Sequence, residues 1–147
     1  MDFKHKQKQS NRAKINQDRI DFDLSCEHVE ALIKQHHKHF ENINSFDFNL
    51  FEFSEEVGRN MQMPFMATSI LKHNNLLQIV DYHKFIQFFT QIYNKYKRNV
   101  QYHNDLHGSD VAQHVHLILR NQNMIEKARF TDLDTLGLLV AALCHDT

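Results

Sequence analysis

Turn-forming residues are scarce in this sequence: three Gly and one Pro in 147 residues. So little glycine and proline leaves few tight turns for a β-protein and favours an all-α, multi-helix chain. Cysteine is nearly absent as well. Cys26 and Cys144 share no short spacing, which argues against a disulfide framework or a zinc knuckle and for a reduced compartment, so a cytoplasmic location is expected. Neither sign of charge dominates, with 17 Lys and Arg against 18 Asp and Glu. No global field therefore draws in nucleic acid or a membrane surface. No apolar run is long enough to span a bilayer, and the basic start, MDFKHKQKQSNRAK, lacks the apolar centre of a secretory signal.

What remains is ordinary globular composition, 41% hydrophobic and 24% charged, and a length that fits one domain or a piece of a larger one. A chain of this size buries roughly 70% of its extended surface on folding. The one compositional oddity is twelve histidines.

Residues 1–44 read as a polar N-terminal tail plus one amphipathic helix. Residues 1–20 carry Lys4, Lys6, Lys8, Arg12, Lys14 and Arg19 and have the composition of a solvated tail. Ser25 is placed to cap a helix with Val29, Leu32, Ile33, His36 and Phe40 on one stripe. Within it, HHKH at 36–39 is not expected to converge on one ion, because adjacent helical positions diverge by about 100°, and it reads as a solvated face. Phe46, Phe48, Phe51 and Phe53 follow, expected in the core, in a stretch that alternates like a strand at first but fits a short helix ended by Gly58. Pro64 suits the first turn of the next helix, which should run to Asn74–Asn75. Asp81 caps a helix whose Phe85, Phe88, Phe89, Ile92 and Tyr96 form an aromatic stripe for the core. Thr131 and Asp134 resemble a capping box. The LDTLGLLVAALC that follows is apolar nearly all round, and predicts a buried central helix over 132–146.

The chemistry concentrates in YHNDLHGSDVAQHVHLILR, residues 102–120, and in the LCHD that ends at Asp146. His103 and His107 lie four apart. If the helix begins only near Asp105, His103 sits on the preceding loop and can face a cleft beside His107. Asp110 lies one turn beyond His107, with Val111, Val115 and Ile118 as the opposing apolar face. His114 and His116 read as surface or core histidines. Imidazole with carboxylate is a ligand set for Zn²⁺, and the carboxylate can bridge to a harder ion such as Mg²⁺. An ionised Asp146 beside LLVAALC needs a compensating charge, which a metal provides; otherwise Asp146 frays into solvent after the helix ends.

YHNDLHGSDVAQ followed by FTDLDTLGLLVAALCHD resembles the start of the 3',5'-cyclic-nucleotide phosphodiesterase catalytic domain, a member of the HD metal-hydrolase group. That family opens its site with Y-H-N-x-x-H-A-x-D-V-x-Q and presents an H-D pair at the end of a buried helix. FNLFEFSEEVG and NVQYHN also fall where the family has a Phe-rich entry helix and the approach to its motif. The resemblance covers about residues 45–147 and implies that they form the N-terminal part of such a domain. It implies metal-ligand roles for His107, His145 and Asp146, with Asp146 also bridging two divalent ions, Zn²⁺ and Mg²⁺ or Mn²⁺. It makes His103 the donor of a proton to the leaving 3′ oxygen, and Tyr102 and Asn104 pocket support. The implied substrate is cAMP or cGMP, hydrolysed to the 5′-monophosphate. The chemistry needs a hydroxide for in-line attack, charge neutralisation and a proton for the leaving alkoxide; two metals supply the first two and a histidine the third.

Two departures stand beside the match. Gly108 replaces the family's Ala, and the chain stops at Thr147, before the family's next histidine, its further metal-binding Asp, its purine-gripping Gln and its aromatic clamp. The expectation is a domain truncated after the first H-D motif, with an incomplete metal shell and no activity alone. An alternative of another class is a catalytically incompetent helical fragment or pseudoenzyme that acts through association, including self-association through an exposed apolar helix. A different HD hydrolase, acting on other phosphate esters, is disfavoured by the extended Y-H-N-x-x-H motif.

Overall fold

The chain is described here by a computed structural model at Ile20, residues 23–97 and residues 99–147. The tail expected over 1–19 lies outside these residues. Ile20, assigned to that tail, is buried, and its backbone exchanges two hydrogen bonds with the Asn94 side chain at 2.8 and 3.0 Å.

Helix starts follow local side-chain chemistry. Ser25 accepts from His28 N and opens α1, Cys26–Gln35. Asn49 accepts from two backbone amides and opens α3, Leu50–Val57; Asp81 caps α5, Tyr82–Lys95. Asn104 caps α6, Asp105–Asn121. Thr131 and Asp134 make a complete capping box at the start of α8, Asp132–Cys144. Each cap replaces a missing intrahelical partner with a side-chain oxygen. Gly58 ends α3 at φ 96°, a backbone region open to glycine. Pro64 sits in the first turn of α4, Gln62–His73, which ends at Asn74. Short α2, His37–Asn42, and α7, Met124–Ala128, complete eight α-helices, with a 3-10 turn at Leu77–Ile79 and no strand among the described residues.

The central helix is α4, not α8: every residue from Gln62 to Leu71 is buried. Ala67, Thr68 and Ser69 are small enough to let α5 and α6 approach on two sides, while α1 packs on a third. Phe53, Phe65, Phe89 and Tyr93 fill the space between helices.

Helix α8 lies along α6 in the most extensive interface of the fold. It buries only Thr135, Leu139, Ala142 and Leu143, leaving Leu133 72% and Leu138 41% exposed. An all-round apolar sequence needs neighbours on every side, and here α8 has them on one. It also stops two residues early, with His145 as its cap.

Three further expectations are corrected. Phe48 and Phe53 pack inward, but Phe46 and Phe51 are exposed, as is Phe88 on α5. On α6 polar Asp105, Ser109, Gln113 and His116 are buried beside Ala112, Leu117 and Leu119; Val111 and Val115 pack half-buried on the core, but Ile118 is 49% exposed. This polar face stays inside because each large group finds a partner. Gln113 donates to the carbonyls of Ile43 and Ser45 at 3.0 and 2.9 Å.

His116 is fully buried, whereas His114 is exposed. His116 Nδ1 accepts from Asn74 Nδ2 at 2.8 Å and its Nε2–H donates to Asn44 Oδ1 at 2.9 Å, so both nitrogens are satisfied with the ring neutral. Burial, with the charges of His73 and Arg120 adding to it, pushes its pKa from 6.5 down to about 3. The unfolded chain therefore binds a proton that the folded chain refuses. The stability this gives is complete above pH 6.5 and is lost as pH falls toward 3. Chemical denaturation followed from pH 7 to pH 4 should show stability falling by up to about 1.4 kcal/mol per pH unit from this group. His116→Gln should be less stable at pH 7 and show a shallower slope. An unchanged slope would contradict the buried neutral ring.

Candidate metal centre

Three ligand atoms converge where α6 begins and α8 ends. His107 Nε2 stands 3.2 Å from His145 Nε2 and 3.4 Å from Asp146 Oδ2, and His145 Nε2 is 3.0 Å from that same oxygen. A tetrahedral ion with bonds of about 2 Å sets its ligands about 3.3 Å apart, so this triangle has the dimensions of a first coordination sphere.

The hydrogen bonding behind the triangle agrees. His145 Nδ1 lies 2.7 Å from the Ala142 carbonyl, and only an N–H can bond there. In the neutral ring that leaves Nε2 with a lone pair, aimed at His107 and Asp146. Asp146 Oδ2 is buried and makes no hydrogen bond. A lone pair and an unpartnered carboxylate oxygen facing each other call for a cation between them. Burial raises the pKa of the nearby Cys144 thiol, which keeps it protonated.

Local folding builds this arrangement. The Asn104 side chain accepts from Leu106 N and His107 N and donates to the carbonyls of Val100 and Gln101. One residue thus starts α6 and fixes the loop that carries Tyr102 and His103. Both of these are exposed; the Tyr102 ring stands 4.3 Å from His107 and 5.0 Å from His103, and His103 is 5.8 Å from His107. On the far side, Tyr96 Oη donates to the Leu143 carbonyl at 2.9 Å. Gly108 makes this contact possible, since a Cβ there would lie 2.6 Å from Tyr96 Oη and 3.1 Å from the Leu143 oxygen. Burial raises the Tyr96 pKa to about 12, which keeps it a donor.

A cleft of about 460 Å³ opens beside His107, lined by Phe46, Phe51, Tyr102, Leu106 and Asp110 among others. The exposed phenylalanines therefore rim a cavity next to the candidate centre.

Sequence reasoning missed Asp105. Its carboxylate is fully buried and takes a two-pronged contact from Arg59, 2.7 Å from Nε and 2.9 Å from Nη2, with Gln62 Nε2 at 3.2 Å. An acidic residue in the first turn of a helix is a readable signal. Its partner 46 residues upstream is not.

The sequence profile described as 3'5'-cyclic nucleotide phosphodiesterase matches residues 102–147, the segment that holds the whole triangle. Residues 102–147 are therefore similar to that family over the segment that carries both motifs. A probable 3',5'-cyclic-AMP phosphodiesterase, pde-4, of Caenorhabditis elegans is 27% identical over 110 residues, 74% of this chain and 16% of the relative. The 3',5'-cyclic-AMP phosphodiesterase 4C of Rattus norvegicus is 28% identical over 127 residues, 85% of this chain and 22% of the relative. The chain thus spans about a fifth of the length of the curated phosphodiesterases it matches. No solved structure matches it significantly. The donor atoms of His107, His145 and Asp146 all lie within 4.8 Å of one another, close enough to hold one metal ion. No helix among the described residues is long and apolar enough to cross a membrane.

Arg59→Ala would strip the main counter-charge from a fully buried carboxylate at the start of α6. The expected loss is about 3 kcal/mol, read by urea denaturation at pH 7, whereas Arg59→Lys should recover part of it. A loss under about 0.5 kcal/mol would mean that the pair behaves as a surface contact.

Proposed function

We propose that residues 45–147 are the N-terminal part of a cyclic-nucleotide phosphodiesterase catalytic domain, and that 102–147 supply part of its metal shell and its proton donor. The carrying observation is the convergence of His107, His145 and Asp146 within the segment matched by the family. The reaction is hydrolysis of a 3',5'-cyclic nucleotide to the 5′-monophosphate, with cAMP favoured over cGMP because the relatives reported above are named for cyclic AMP. A cytoplasmic location fits the isolated thiols.

His107, His145 and Asp146 would hold Zn²⁺, and Asp146 would be shared with Mg²⁺ or Mn²⁺. Such ions, when bound, supply charge neutralisation at the phosphoryl oxygens and a water of lowered pKa. His103, exposed on the loop before α6, is the proton donor to the leaving 3′ oxygen. It keeps one face open to substrate while Tyr102 packs at its edge. Asn104 holds that loop in register with the first turn of α6, so that donor and metal ligands keep a fixed spacing.

A second reading is favoured by the bare side of α8: a catalytically incompetent chain that associates, with itself or another protein, through Leu133 and Leu138. One experiment separates the two. Hydrolysis of cAMP and cGMP would be assayed with Mg²⁺, Mn²⁺ and Zn²⁺ on the wild-type protein, His103→Ala and His107→Ala, with bound metal measured in each. In a protein that also carries the rest of the catalytic domain, the enzyme reading expects His103→Ala to lower kcat by about 10²–10⁴-fold at unchanged metal content, and His107→Ala to lose metal and turnover together. Turnover that survives His107→Ala would refute the site. No turnover, combined with self-association that Leu138→Glu abolishes, would establish the second reading.

A further inference from the structure

The segment HHKH forms the solvated face expected of it at His37 and Lys38 but not at His39. His39 is buried at 4% exposure, with its ring edge on Phe53 and its Nε2 2.7 Å from Glu56 Oε2. The helix breaks at His36, where φ −110° and ψ 43° end α1 before α2 begins at His37. His36 and His39 lie three apart across this break, and their ring centroids are 6.2 Å apart. One donor atom from each of His36, His39 and Glu56 falls within 4.8 Å of the others. The neighbouring acids are engaged elsewhere, Glu41 by His37 at 3.8 Å and Glu52 by Lys38 at 3.6 Å. A single hydrogen bond satisfies the His39–Glu56 pair. It gives no reason for a second imidazole beside it, and the His36 side chain makes no hydrogen bond among the described residues.

We propose that His36, His39 and Glu56 form a second zinc site, separate from the His107 cluster. Two imidazole nitrogens and one carboxylate oxygen are ligands of a borderline ion such as Zn²⁺, with the fourth position left to water. His39 is the fixed member, because its ring is locked in the core. Glu56 is the adjustable one: its side chain is 51% exposed and can move from a hydrogen-bonding separation of 2.7 Å to the roughly 3.3 Å that two ligands of one ion need. The bound ion ties the α1–α2 break to α3 and stabilises the fold by binding the native state alone.

The test is calorimetric zinc titration of the 147-residue chain in excess Mg²⁺, for the wild type, His36→Ala, Glu56→Gln and His107→Ala. His36 and Glu56 are the residues to change, because truncating buried His39 would open the core. With both clusters competent, the wild type takes two equivalents and each single variant one, and the zinc-induced rise in Tm shrinks in His36→Ala. If the His107 cluster takes no zinc, the wild type takes one equivalent, which His36→Ala removes and His107→Ala leaves. Zinc uptake by His36→Ala and Glu56→Gln equal to wild type, or no zinc uptake by the wild type, overturns the second site.

Discussion

Helix α6 meets the end of α8 at Gly108, and the candidate centre depends on that closeness. With hydrogen in place of a side chain, the α6 backbone admits the hydroxyl of Tyr96, which reaches the carbonyl of Leu143 two residues before His145. Three elements are joined in this contact: the end of α5, the first turns of α6 and the last turn of α8. His107 precedes Gly108 on one side, and His145 and Asp146 follow Leu143 on the other. The spacing of the ligand atoms is therefore set by a packed, hydrogen-bonded joint rather than by a loop.

Three buried or half-buried polar groups face the same desolvation problem and meet it differently. Asp105 is held by Arg59 and Gln62, which donate to both of its carboxylate oxygens. His116 stays neutral, its nitrogens satisfied by two asparagines. Asp146 has neither a counter-ion nor a hydrogen bond to its buried oxygen, only two imidazoles. The first two solutions are complete within the protein and serve stability. The third lacks a positive charge, and that sets it apart as a site for a cation.

Much of this was legible in the sequence because it is local. Ser25, Asp81, Thr131 and Asp134 bond to backbone within three residues of themselves, so their caps could be read directly. The convergence of His107 with His145 and Asp146 followed from motif spacing and two packed helices. What could not be read was long-range. Periodicity gave α8 as the centre, because it counts apolar residues and not neighbours; α4 holds that place with Met63, Phe65, Met66, Ile70 and Leu71 fully buried around small Ala67, Thr68 and Ser69, which other helices approach. His39 was read as solvated because Glu56 and Phe53, which bury it, come from α3. Phe46 and Phe51 have core composition, yet they stand at the rim of the cleft beside His107.

The account's central claim is that His107, His145 and Asp146 share one ion, and X-ray absorption at the zinc edge tests it most directly. The His36→Ala chain, loaded with a single equivalent of Zn²⁺, should show a shell of about four nitrogen and oxygen neighbours near 2.0–2.1 Å, with the outer-shell scattering of two imidazole rings. His107→Ala in that background should remove one ring's contribution. A six-oxygen shell without imidazole scattering, or one that His107→Ala leaves unchanged, would contradict the claim.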